Sequence, residues 1–312
     1  MDKRRSTNPV LRVAVGFAVL VVLISMLVAR SHSLNRSDGR ALAEQRAVTD
    51  RKNEREIAER EARAEAERAA IARIVELDMP VYCAGRKPYA ALTFDDGPGE
   101  RTPELVRTLR RAGIPATFFV LGRNGDQDPE RMRLLTSAGV LMNHSWAHPD
   151  MRYLNRREIR SEILDTQRLI REETGQDYKG FRAPYGARDD DVNQIARRMR
   201  FAQILWSADT EDALRADAKT IGQKAIDGLG PGAIVLMHDG PADTIKALKE
   251  IIIPRIKKTR LQMVTIPELL AENPPSKKQL QAGGEGCRHA GKINVSGTNK
   301  NPHYMRRNET SP

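Results

Sequence analysis

Short apolar runs that alternate with amphipathic segments from about residue 85 onward predict an α/β fold with parallel strands. Repeated strand and helix alternation calls for crossover helices, in either an open doubly wound sheet or a closed barrel. A second observation concerns polarity: clusters of Asp, His and Arg stand at the ends of successive strand candidates. That is the edge where parallel folds of both kinds bind ligands.

The strand candidates are 89–94, 116–121, 140–143, 180–183, 202–207, 233–237 and 262–266. Between them lie helical segments near 103–112, 129–138, 156–174, 188–199, 217–228 and 243–258. No internal repeat is evident. The 312-residue length suffices for one large domain with a substantial core.

The flanks differ from this body. Val13 to Ala29 is free of charge, with Lys3, Arg4, Arg5 and Arg12 before it and Arg30 after it. With Val10 and Leu11 it approaches the roughly 20 residues that span a bilayer, and no small-residue cleavage pattern follows. The expected order is a cytoplasmic N-terminus (1–12), a transmembrane signal-anchor (13–29) and a charged helical stalk (30–82), then the main domain (83–272) and a disordered basic tail (273–312). Residues 38–76 carry ten acids and nine bases, with Glu56/Arg60 and Glu59/Arg63 at the i, i+4 spacing that supports a solvated helix. A cell-membrane location with the domain outside follows, or a secreted one if the apolar segment is cleaved.

Net charge is +11. Residues 1–46 hold eight Lys/Arg against three Asp/Glu and residues 274–312 hold seven against two, so the body is close to neutral. That excludes a basic groove for nucleic acid. Cys83 and Cys287 either pair in an oxidising compartment or remain free thiols; two cysteines do not decide it, and neither has metal-ligand spacing. Nothing in the sequence sets an oligomeric state.

The chemistry begins with Asp95 and Asp96, which end the first apolar run and are stopped by Gly97-Pro98. Side chains alternate along a strand, so the two carboxylates leave the backbone in different directions and can take different tasks. Taken alone, Asp-Asp-Gly-Pro is equally an ordinary polar turn. His144-Ser-Trp-Ala-His148 puts two imidazoles four apart, and with a strand-end aspartate they make a three-ligand metal site with positions left open. Arg182-Ala-Pro184-Tyr185, Trp206-Ser-Ala-Asp209-Thr-Glu-Asp212 and Leu236-Met-His238 complete the series. Each reads singly as a salt bridge, turn, helix cap or core-edge histidine. Five such motifs at five strand ends do not read as unrelated turns.

Thr93-Phe-Asp-Asp-Gly-Pro98, His144-Ser-Trp-Ala-His148, Arg182-Ala-Pro-Tyr185, Asp209-Thr-Glu-Asp212 and Leu236-Met-His238 resemble, in order, the motifs of the polysaccharide deacetylases with a NodB homology domain, carbohydrate esterase family 4. The match spans about 88–270. The resemblance implies a distorted (β/α) barrel of about seven parallel strands that removes acetyl groups from N-acetylated sugars or, in some members, from acetylated xylan. It implies a divalent metal, most simply Zn2+ with Co2+, Mn2+ or Ni2+ as alternatives, on Asp96, His144 and His148. Asp95 is then the base toward a metal-acidified water, steadied by Arg182, and His238 is the acid, kept protonated by Asp212. The backbone N–H of Tyr185 helps stabilise the oxyanion, Leu236 lines the acetyl pocket, and Pro184 and Trp206 contact substrate. The implied partner is an acetylated glycan, cell-wall peptidoglycan being favoured over chitooligosaccharide, exopolysaccharide or xylan. A catalytically weak wall-binding protein is the non-enzymatic alternative. One departure stands out: the family usually places Trp after the fourth-motif aspartate, and here Ala213 follows Asp212.

Overall fold

The computed structural model describes the backbone of residues 9–287 and the side chains of 25–27 and 45–287. The chain forms two compact units, residues 1–63 and 64–312. Among the described residues no helix is long and apolar enough to cross a membrane. The span expected over 13–29 has most of its side chains outside the described residues, as have 1–8 and the tail from 288 onward.

Helix α1 (Pro9–Leu77) supplies all the described structure of the first unit. Its side chains from 45 to 63 are almost all exposed, and Lys52 and Glu56 pair at 3.9 Å one turn apart.

The second unit is a parallel sheet of β1 (Tyr89–Asp95), β2 (Ala116–Val120), β3 (Gly139–Asn143), β4 (Gly180–Phe181), β5 (Ala202–Gln203), β6 (Ala208–Asp209), β7 (Ile234–His238) and β8 (Gln262–Met263). Seven strands run in the order β5-β4-β3-β2-β1-β7-β6, and β8 joins the first residues of β1. The sheet curls into a half-barrel, the distorted form of the expected (β/α) barrel. The apolar run expected over 202–207 is split, because the chain leaves β5 at Ile204, where it bridges Val81, before resuming as β6.

Crossovers are α2 (Thr102–Ala112), α3 (Gly122–Gln127), α4 (Pro129–Leu135), α5 (Arg156–Thr174), α6 (Asp190–Arg198), α7 (Ala218–Gly228), α8 (Ala242–Ala247) and α9 (Ile253–Ile256), the last two joined by a π-helical turn. Local chemistry sets their ends. Asn155 and Glu158 form a reciprocal capping box at the start of α5, and Gly175 ends it at φ 70°, a conformation that costs glycine little. Helices α10 (Ile266–Glu272) and α11 (Lys277–Gln281) close the unit.

Strand alternation sorts the core. Leu92, Phe94, Phe118 and Val120 face the helix layer, while Ala91 and Phe119 belong to the opposite face with Met142, Ile204 and Ile234. That second cluster also takes Ile71 and Ile74 from the end of α1 and Leu269, Leu270 and Leu280 from α10 and α11. The last turns of the expected stalk are therefore part of the folded unit, with Tyr178 Oη–H donating to Glu67 at 2.7 Å. The expected tail also begins too early: residues 273–287 are ordered, closed by a Cys83–Cys287 disulfide.

Candidate active site

Sheet register brings the motifs to one level. Asp95 is paired with His238 across β1 and β7, Val120 with Asn143 across β2 and β3, and Asn143 with Phe181 across β3 and β4. The residues next along the chain, Asp96, His144 and Arg182, therefore emerge together at the carboxyl edge.

Thr93 and Asp95 lie two apart and share the interior face. Arg182, fully buried, spans both: Nη1 donates to Asp95 Oδ1 at 2.6 Å and to Thr93 Oγ1 at 3.0 Å. Its Nε and Nη2 donate to the carbonyls of Ile204 and Leu205, each at 3.0 Å, and its Cζ lies 3.9 Å from the centre of the Phe119 ring. A buried guanidinium is tolerated because each of its nitrogens is hydrogen-bonded and its charge is opposed. Burial raises the pKa of Asp95 above the usual carboxylate range, against the opposing charge and hydrogen bond of Arg182.

Asp96 turns away in a left-handed conformation, φ 73°, which is why adjacent aspartates serve different neighbours. Its carbonyl accepts from Asn124 Nδ2 at 2.8 Å. Asp96 Oδ1 lies 3.5 Å from His144 Nε2 and 3.4 Å from His148 Nε2, buried and without a hydrogen-bond partner. His144 Nδ1–H donates to the Arg182 carbonyl at 2.8 Å, which leaves the Nε2 lone pair facing Asp96. Burial, with the neighbouring His148 next in weight, pulls the His144 pKa down to about 3, so the ring is a neutral ligand. One ligand atom from each of Asp96, His144 and His148 lies within 4.8 Å of the others. An orphaned buried carboxylate oxygen between two imidazole nitrogens fits a divalent cation of the zinc class.

The loop carrying both histidines is strained and braced. Ser145 and His148 have φ of 73° and 62°, and Tyr185, whose ring meets His148 edge-on at 4.6 Å, has φ 61°. Glu162 on α5 accepts from the backbone N–H of Trp146 at 2.7 Å and of Ala147 at 2.9 Å, while Asn143 Oδ1 accepts from Ser145 N–H at 2.9 Å. Neither Glu162 nor Asn143 was singled out by the motifs; Glu162 is one acid among several on an amphipathic helix.

On the β7 side His238 Nδ1–H donates to Asp212 Oδ1 at 2.7 Å. Asp212 Oδ2 accepts from His238 N–H at 2.8 Å and from Thr244 Oγ1 at 2.6 Å, a third partner that the motifs do not flag. Burial alone would lower the His238 pKa; the charge and hydrogen bond of Asp212 outweigh it, Asp96 and Asp95 add to them, and the imidazole is pushed up to about 10. Asp212, buried as well, is held below the usual carboxylate range by His238 and Thr244. Leu236 shares the His238 face of β7 and is almost wholly buried, as is Pro184. Trp206 is half-buried 5.6 Å from the Arg182 guanidinium, and a Cβ at Gly186 would come within 2.9 Å of its ring. Ala213 is exposed, with Leu214 beside it also exposed.

Residues 84–204 match the family described as polysaccharide deacetylase. A peptidoglycan-N-acetylglucosamine deacetylase from Bacillus cereus is 33% identical over 189 residues, covering 59% of this chain and 68% of that protein. The chain belongs to the polysaccharide deacetylase family. A second family member, the peptidoglycan-N-acetylglucosamine deacetylase PgdA of Listeria monocytogenes, is 39% identical over 185 residues, 58% of this chain; the chain spans about two fifths (39%) of its length. Among solved family structures, a CE4 family pseudoenzyme from Bacillus anthracis superposes with a TM-score of 0.58 at 31% identity, covering 61% of this chain and 68% of that one. Family membership and fold therefore do not by themselves establish catalysis.

Proposed function

We propose that this protein is a metal-dependent hydrolase that removes N-acetyl groups from N-acetylglucosamine units of cell-wall glycan, with peptidoglycan as the favoured polymer. The observation that carries the reading is the shared edge of Asp96, His144 and His148 with Asp95 on one side and the His238–Asp212 pair on the other. A divalent cation held by Asp96, His144 and His148 supplies Lewis acidity toward a carbonyl oxygen and toward water.

The chain's own groups do the rest. Asp95, buried and oriented by Arg182, accepts a proton from water as that water attacks the acetamide carbon. The backbone N–H of Tyr185 stabilises charge on the carbonyl oxygen. His238, charged because Asp212 is, gives its Nε2 proton to the departing amine, and the C–N bond breaks to yield acetate and a free amino sugar. Leu236 borders the acetyl methyl, and Pro184 and Trp206 contact the sugar. The product amine is cationic near neutral pH, so the reaction changes the charge of the wall.

Zinc is the favoured ion on the donor set, with cobalt, manganese and nickel as alternatives. An uncleaved anchor at residues 13–29 holds the chain at the cell membrane with the catalytic unit outside; the uncharged run supports the anchor, and the Cys83–Cys287 bridge supports an oxidising compartment. Chitooligosaccharide, exopolysaccharide and acetylated xylan are the competing substrates. The test is a panel of these polymers analysed by mass spectrometry with and without a chelator. The reading expects metal-dependent loss of acetyl groups, greatest on peptidoglycan; no loss on any polymer would favour a carbohydrate-binding protein instead.

A further inference from the structure

Asp239 has no part in the chemistry above, yet it sits under the loop that carries Asp96. It follows His238 and is 5% exposed. Its backbone N–H donates to the Asp95 carbonyl at 2.9 Å, so the β1–β7 ladder runs one residue beyond the acid. Its Oδ2 accepts from Thr102 Oγ1 at 2.5 Å, and Thr102 Oγ1 in turn accepts from Gly99 N–H at 2.7 Å. The loop closes on this carboxylate with no space to spare. A Cβ on Gly97 would lie 2.6 Å from Asp239 Oδ2, and one on Gly99 would lie 2.9 Å from the Asp239 carbonyl oxygen. Asp239 Oδ1, buried, makes no hydrogen bond.

A carboxylate near the first turn of α2 has an ordinary use, to fix the start of that helix. That role alone does not explain the fit against Gly97 and Gly99, one and three residues after Asp96. Both ends of the reacting edge meet at this residue: the segment holding the proton donor, and the loop holding a metal ligand.

We propose that Asp239 is a positioning residue that clamps residues 97–99 so that Asp96 keeps its oxygen between His144 and His148 in fixed relation to His238. The inference rests on the metal reading of Asp96, His144 and His148. It assigns the effect to the hydrogen bonds of Oδ2 and not to the charge of the side chain. Asparagine then substitutes well: its amide oxygen accepts from Thr102 where Oδ2 does, and its NH2 occupies the position where Oδ1 has no partner.

The experiment titrates Zn2+ into the metal-stripped full chain by calorimetry, alongside kcat and KM on an N-acetylglucosamine oligomer, for the wild type, Asp239→Ala, Asp239→Asn and Thr102→Val. Asp239→Ala is expected to weaken zinc binding by about 10- to 100-fold, the usual effect of losing a group that orients a ligand, and to lower kcat with little change in KM. Asp239→Asn is expected to stay within about threefold of wild type in zinc affinity. A helix-capping role alone would move the melting temperature and leave zinc affinity unchanged. Wild-type zinc affinity in Asp239→Ala overturns the proposal, and so does an equal loss in Asp239→Asn, which would assign the effect to charge. If Asp239→Ala does not fold, Thr102→Val decides: it removes one arm of the clamp and is expected to weaken zinc in the same direction, and an unchanged affinity overturns the clamp. An unaltered chain that binds no zinc refutes the metal reading itself, a result distinct from a clamp failure.

Discussion

Asp212→Asn tests the acid half of the site with the least disturbance of shape. Asparagine keeps an oxygen that can accept from His238 Nδ1–H; it removes the charge and puts an NH2 where Oδ2 accepts from His238 N–H and Thr244 Oγ1. In the wild type that charge and hydrogen bond outweigh burial and push His238 up to about 10, so at pH 8 nearly every molecule carries the proton that the leaving amine needs. Without the charge, burial works unopposed by Asp212 and the ring falls toward or below its ordinary 6.5. At pH 8 a histidine of that pKa is protonated in about one molecule in 30. The variant should therefore lose about thirtyfold or more in kcat/KM at pH 8 and only a fewfold at pH 6, its alkaline limb moving from near 10 to below neutrality. Acetate release from an N-acetylglucosamine oligomer between pH 5 and 10 measures this. Stability follows the same sign. A histidine raised in the folded state contributes stability that is fully present below its unfolded value near 6.5 and is lost as pH rises through 10. The melting-temperature gap between wild type and variant should be widest below pH 6.5 and close toward pH 10. A variant that keeps the wild-type alkaline limb would refute the assignment of His238 as the acid held by Asp212.

Three further outcomes follow from the geometry. Asp95→Asn should abolish acetate release while leaving zinc binding within about an order of magnitude, because the proposed mechanism makes Asp95 the base and not one of the three ligands; calorimetry and turnover on one preparation separate the two. Glu162→Ala should weaken zinc about tenfold or more by releasing the Trp146 and Ala147 amides, although Glu162 touches no ligand atom; substrate KM should hold. Cys287→Ser opens a loop of 204 residues in sequence separation, worth about 5 kcal/mol in the chain-entropy account, and should lower the melting temperature with zinc affinity unchanged.

The candidate active-site edge was legible in the sequence because its polar residues are concentrated in short segments. Asp95 and Asp96 announce a strand end by an apolar run followed by Gly-Pro, whereas the four-residue spacing of His144 and His148 would share a face only on a helical turn; a loop with Ser145 at φ 73° and His148 at φ 62° brings them together instead. Parallel register then does what the sequence cannot state, setting Asp95 beside His238 across 143 positions of chain. What was hidden depends on tertiary contact. Glu162 is chemically like its neighbours on α5 until the loop from His144 to His148 folds over it. The run 202–207 looks continuous, yet pairing with Val81 divides it between two edges of the sheet. Helix α10 begins where the last strand was expected to end, because Thr265 caps it and Pro267 suits a first turn. Polar composition after 273 reads as a loose tail, but Leu280 and Cys287 are buried against the unit by a bridge that spacing alone could not assign. Ala213, in the position the family usually gives to Trp, is exposed, and the hydrogen bond between Asp212 and His238 forms beside it.

On the proposed reading Asp96, His144 and His148 hold a metal that this chain uses to deacetylate glycan. Acetate released from peptidoglycan by the zinc-loaded full chain, measured again after chelation and after zinc is restored, tests it most directly. Release should disappear with the metal and return with it. Release that survives chelation, or none from the loaded protein, would contradict that reading.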